Sequence, residues 1–152
     1  MTQIEYARML IRDPEINLFQ DNEIQDVITE ATNRKAKQLK RSDLDGYKWS
    51  VGERYFTNPE VYYRVGGTLI EDTTAVVDAE KGTVTTSEPR TDVYMVADWV
   101  DWDYVHGKLL ELIATDIQKF NTYSAGGVSE QFDKQSLLKE AWRLMGVRGA
   151  DL

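Results

Sequence analysis

Residues 76–87 read Val-Val-Asp-Ala-Glu-Lys-Gly-Thr-Val-Thr-Thr-Ser. Two runs of β-branched residues flank a polar turn that ends on Gly82, the pattern of an antiparallel hairpin. This segment constrains the fold more than any other, because the chain on both sides of it has helical spacing. A small sheet is marginal alone, so these strands must pack against other elements. More strand signals lie nearby. Val61–Val65 is rich in β formers and stops at Gly66-Gly67, Thr73–Val77 and Thr83–Ser87 flank the Asp78–Gly82 turn, and Asp92–Asp98 forms a further strand. Residues 42–60 have two Gly, a Pro and no period, and read as a loop with short strand character at Arg54–Thr57.

The flanks predict helices. Thr2-Gln3-Ile4-Glu5 has the form of a capping box, followed by Ile4, Ala7, Leu10 and Ile11 on one face, and Asp13-Pro14 ends that helix. Asp21 or Asn22 caps a second helix carrying Ile24, Val27, Ile28, Ala31 and Leu39. The run Asn33–Arg41 makes its last two turns basic, which suits the helix C-terminal dipole. Asp101 caps the longest helix, about Trp102 to Asn121, with Val105, Leu109, Leu112, Ile113, Ile117 and Phe120 as its stripe. Gly126 and Gly127 interrupt it, and a last helix places Leu137, Leu138, Ala141, Trp142 and Met145 on one side before Gly146. The expected fold is α+β and mostly helical: an antiparallel bundle of about four helices with a small inserted antiparallel β-meander. One domain spans 1–152, with N-terminal helices over 1–41, the β insert over 54–98, the long helix over 101–122, a hinge loop over 123–129, and the C-terminal helix and tail over 130–152.

A chain of 152 residues can build one real core. It has no Cys, which removes disulfides, thiolate nucleophiles and thiolate metal ligands together. No apolar run approaches a membrane span and the N-terminus does not read as a signal peptide, so a cytoplasmic protein with no membrane partner is expected. Net charge is −8, and residues 51–100 alone hold 9 acidic against 4 basic groups. Such a chain is poorly suited to gripping DNA phosphates over a broad face.

Residues that carry chemistry are sparse. His106 is the single His and has no obvious nucleophile partner. Asp98, Asp101 and Asp103 lie close together in sequence, but a helix start accounts for Asp101 and Asp103. Neither Gly66-Gly67 nor Gly126-Gly127 fits a phosphate loop. No catalytic residue, metal site or cofactor is therefore expected, and the chain does not read as an enzyme. A small metal-dependent hydrolase or nuclease using Asp98, Asp101, Asp103 and His106 is the enzymatic alternative. The aromatics Tyr62, Tyr63, Tyr94, Trp99, Trp102, Tyr104 and Trp142 are numerous for this length and suit either the core or an interface centre.

The order of these elements resembles the head-tail connector (adaptor, or head completion) proteins of tailed bacteriophages. The resemblance rests on Val77-Asp78 through Gly82-Thr83-Val84, on the strand that runs into a helix at Asp98–Trp102, and on the helix break over Phe120–Ser129 with its Ser-Ala-Gly-Gly. It covers most of the chain and is strongest over about 75–145. The resemblance implies a virion protein of the head-tail junction, assembled in the host cytoplasm. Such a protein forms a ring of about twelve copies under the portal and extends the DNA channel. Its implied partners are the portal protein, the next neck or tail protein (a stopper or tail terminator), other copies of itself, and double-stranded DNA passing without sequence-specific binding. Carried onto this chain, portal contact falls to Leu137, Leu138, Trp142, Met145 and Leu152, with Gly126 and Gly127 as the hinge. The first and third helices would supply ring contacts. Asp78, Glu80, Lys81 and Gly82 then form a docking or channel-facing hairpin. A tail terminator or stopper, richer in β-structure, is the structural alternative.

Overall fold

The computed structural model describes residues 1–13, 18–125 and 134–146, the last two of the middle segment by backbone only. Two short helices come first, α1 (Gln3–Leu10) and α2 (Asp21–Glu30). Eight strands follow: β1 (Thr32–Gln38), β2 (Lys40–Arg41), β3 (Lys48–Ser50), β4 (Thr57–Val65), β5 (Thr68–Glu71), β6 (Val76–Asp78), β7 (Thr83–Thr85) and β8 (Val93–Val100). Three helices close the described chain: α3 (Trp102–Thr115), α4 (Ile117–Ala125) and α5 (Lys134–Leu144). The chain divides into two compact units, one of residues 1–31 with 101–152 and one of residues 32–100.

The mostly helical bundle with a small β insert does not hold. Helix accounts for 38% of the described residues and strand for 30%, in two antiparallel sheets of four strands each. The larger part of the correction lies in residues 32–41. They are good helix formers, but after Ala31 the apolar spacing lapses, and Leu39 fits the helical stripe only by coincidence. Strand β8 alternates buried and half-buried side chains, and its backbone groups need a partner. Strand β1 supplies it over seven rungs, from Thr32 opposite Val100 to Gln38 opposite Tyr94. Long-range pairing thus overrides local propensity. Two smaller corrections follow. In the 42–60 region the strands are Lys48–Ser50 and the start of β4 at Thr57, while Arg54–Phe56 are in no strand. The long helix breaks at Asp116, whose extended backbone ends α3 and whose carboxylate accepts from Lys119 N at 3.0 Å to start α4. Ile117, expected in the apolar stripe, is exposed.

In the β unit the sheets run β1-β8-β4-β5 and β2-β3-β7-β6. They share a single core. Val61, Val93, Met95, Ala97 and Trp99 from the first sheet meet Trp49 and Val84 from the second, with Leu39, Val51 and Phe56 from the connections. Leu39 is buried where the chain bends from β1 into β2, and its N–H donates to Val93 O at 2.9 Å. The predicted hairpin is present as β6–β7, with Val77 opposite Val84.

In the helical unit the Thr2–Glu5 capping box forms as predicted. The second helix is capped by Gln20 with Glu23, one residue before Asp21. The buried Arg8 guanidinium joins α1 to α2, donating to Asp13 Oδ2 at 3.1 Å, Phe19 O at 2.9 Å and Asp21 Oδ1 at 2.6 Å. Helix α3 carries the centre of this core with Val105, Leu109, Leu110 and Ile113. Tyr6 meets Trp102 edge-on at 4.8 Å, and Tyr104 OH donates to Glu30 Oε1 at 2.6 Å.

Candidate interaction surfaces

The C-terminal helix is engaged within its own unit. Leu137 and Ala141 are buried, while Leu138, Trp142 and Met145 are half-buried. The crossing of α5 over α3 is made at Gly107, where a Cβ would lie 2.5 Å from Ala141 O and 2.7 Å from Met145 Cγ. Trp142 Nε1 donates to Glu111 Oε2 at 2.9 Å, and Lys108 Nζ to Glu111 Oε1 at 3.0 Å. Against the cost of burial, these two bonds hold the Glu111 carboxyl below its ordinary value. The apolar stripe assigned to a portal thus already covers α3 with Leu137 and Ala141, leaving only the outer parts of Leu138, Trp142 and Met145 for a partner. Leu152 and the hinge glycines Gly126 and Gly127 lie outside the described residues.

The Asp78–Gly82 turn is strapped down along its backbone. Asp78 Oδ1 accepts from Lys81 N at 3.0 Å, and Gly82 N donates to Asp78 O at 2.8 Å. Residues 51–55 lie across it: Val51 N donates to Gly82 O, Tyr55 N to Ala79 O and Arg54 Nε to Glu80 O. Gly82 is buried with φ +69°, and the side chains of Glu80 and Lys81 face solvent.

The acidic cluster has local explanations. Asp101 Oδ1 caps α3 by accepting from Tyr104 N at 3.1 Å. Asp98 belongs to a polar network on the outer face of the first sheet. It accepts from Asn58 Nδ2 at 2.7 Å and from Arg34 Nη1 at 3.2 Å, and these bonds hold its carboxyl below the ordinary value. Arg34 also reaches Asn58 O and Glu60. Asn58 stands at φ +52° in the bulge that shifts the β4–β8 register. Tyr62 OH donates to Glu60 Oε2, and Arg64 lies over Tyr94, donating to its hydroxyl. His106 is half-buried, and burial lowers its imidazole below the ordinary 6.5 against the opposing fields of Glu140 and Asp103. No group of three metal-ligating side chains forms among the described residues, and no helix among them is long and apolar enough to cross a membrane.

A cluster of exposed apolar side chains lies on a hairpin whose second strand is not among those predicted from the sequence pattern. Strands β4 and β5 are joined by Gly66-Gly67, with Val65 opposite Thr68 and Tyr62 opposite Glu71. All four residues of β5 are exposed. Val65, Leu69 and Ile70 keep 56%, 47% and 40% of their surface in solvent. A signal was present in Tyr-Tyr-Arg-Val-Gly-Gly-Thr-Leu-Ile-Glu, since β formers on both sides of a two-residue glycine turn spell a hairpin. The Gly66 φ of +61° fits that turn. Beyond β5, Asp72 Oδ1 caps Thr74 at 3.1 Å, and Arg90 pairs with Asp72 Oδ2 at 3.5 Å while stacking 3.7 Å over the Tyr63 ring.

Compared with protein-family models, with curated proteins and with solved structures, the chain matches none.

Proposed function

We propose that this chain is a structural virion protein that works by assembly, as a head-tail connector ringed under a portal, extending the DNA channel and joining capsid to tail. The observation that carries this reading is the β4–β5 hairpin: a sheet edge with Val65, Leu69 and Ile70 exposed around a glycine turn. Large apolar side chains left in water on a strand pair suit a protein contact. Support also comes from the order of elements, a β unit set between helices and a strand running into the Asp101-capped helix. The acidic balance of residues 51–100 suits a wall past which DNA slides. The test is to mix the purified chain with the portal ring encoded in the same genome and image the complex by electron microscopy. Added density at the tail-proximal face of the portal is expected. A chain that leaves portal rings bare overturns the connector reading.

The strand content favours a second reading. Two four-stranded sheets give more β-structure than a helical connector needs, and a stopper or tail terminator is β-rich. In that case the chain decorates the end of a purified tail tube and not the portal.

A further inference from the structure

Among the described residues the first sheet ends in two edge strands of opposite character. Strand β1 lies at one side and β5 at the other. Residues 32–41 hold five of the chain's 18 cations (Arg34, Lys35, Lys37, Lys40 and Arg41) and none of its 26 acids. A row of cations protects an edge against unwanted pairing with its own kind. Strand β5, Thr-Leu-Ile-Glu, has no cation, no Pro and no bulge. Its one charge, Glu71, is acidic and exposed.

The ladders fix which backbone groups are free to pair. Leu39 N bonds Val93 O and Asp101 N bonds Ala31 O, so the odd residues of β1 bond to β8. The N–H and C=O of Arg34, Ala36 and Gln38 consequently point to the open side. Asp72 N bonds Val61 O, so Thr68 and Ile70 bond to β4 while the backbone groups of Leu69 and Glu71 point outward. The sheet has four strands, all antiparallel, so β5 runs opposite to β1. A second copy in the same orientation would therefore bring its β1 antiparallel to β5 of the first, and the alternation would continue unbroken.

We infer that β5 of one copy takes the basic edge strand β1 of a second copy, joining molecules head to tail through a continuous sheet. This rests on the assembly reading above and names its contact. A basic strand meeting an acidic, apolar one is electrostatically matched, whereas two β1 edges repel. Because the paired edges are different, the contact is heterologous and repeats, closing a ring when the rotation per copy allows it.

The absence of Cys permits a direct test. Tyr94 stands opposite Gln38 and Tyr62, and Tyr62 opposite Glu71, so Ala36 and Leu69 share one face of the sheet. Leu69→Cys and Ala36→Cys are made singly and together and treated with a short bis-maleimide. Each single variant alone should give little product, their mixture a dimer, and the double variant a ladder of multimers. Adding Glu71→Pro, which removes an outward N–H without touching the β4 ladder, should abolish the ladder of the double variant. Dimers of Leu69→Cys alone would show β5 pairing with itself and overturn the inference, as would the absence of any ladder. Portal density from a chain that gives no ladder would sink the strand contact and leave the proposed function standing. A ladder from a chain that ignores the portal does the reverse.

Discussion

Single positions carry opposite consequences for the same small change. Gly107 lies inside α3, where Gly→Ala ordinarily stabilises by about 1 kcal/mol. Here the added methyl meets Ala141 O at 2.5 Å, so the sign should reverse. Gly107→Ala is expected to lower stability by about 1–3 kcal/mol through overpacking, read as a shift of the urea midpoint. Gly82→Ala should cost about 2 kcal/mol or more, because φ is +69° and the methyl would sit well inside van der Waals contact with Glu53 O. Gly66→Asn is the contrast: its φ is also positive but no atom lies within 4 Å, so the midpoint should barely move. His106 adds a pH dependence. Its folded value is lowered by burial, so the neutral ring is favoured in the fold. As pH falls through the ordinary 6.5 the unfolded chain takes up the proton first, and the stability it contributes is lost on the acid side of that value. The carboxyls of Asp98, Glu111 and Glu140 are also lowered, but they lose stability only in the more acid carboxylate range. His106→Gln should therefore flatten the stability profile just below neutrality and leave the more acid limb in place, as measured by urea melts across pH.

Elements differ in how far the sequence announces them. Helices α1 and α3 were legible because their caps, Thr2 with Glu5 and Asp101, are local chemistry, and so was the β6–β7 hairpin with its Gly82 turn. Strand β1 was not, because apart from Thr32 nothing within Thr32–Gln38 prefers a sheet; its state is set by β8, about 60 residues away in sequence. The hairpin partner of β4 was missed although its glycine turn was visible, since β5 is too short to show a period. The site residues fared in the same way. Leu137 and Ala141 were recognisable as an apolar face, but whether such a face meets its own core or a partner is a matter of tertiary placement. That placement leads to a prediction for α5. Leu137 is buried against the unit that holds α3, so Leu137→Ala should cost about 2–4 kcal/mol, as a large-to-small change in a core does. A helix used only for partner binding would show almost no change in the denaturation midpoint.

At the scale of the whole chain, two units are threaded one inside the other in sequence. The β unit begins and ends at neighbouring points, with Thr32 opposite Val100 on adjacent strands. The helical unit closes across the same gap, with Asp101 N bonded to Ala31 O at 3.0 Å. Each unit has its own apolar centre, around Met95 and Trp49 in one and around Leu109 and Ile113 in the other. An insertion whose two ends meet this way leaves its host able to close without it. The fragment Thr32–Val100 is therefore expected to fold alone. It should show a cooperative thermal transition with near-ultraviolet circular dichroism from the buried Trp49 and Trp99. The mostly helical bundle expected from local pattern makes the opposite prediction, since a small meander without its helices has no core and would stay unfolded. A fragment with no cooperative transition would mean that the sandwich core of Val61, Val84, Val93 and Met95 is insufficient by itself. A folded fragment that keeps both edges, β1 and β5, also separates the roles of the units: multimer formation through the sheet should survive removal of the helices, while any contact made by α5 should not.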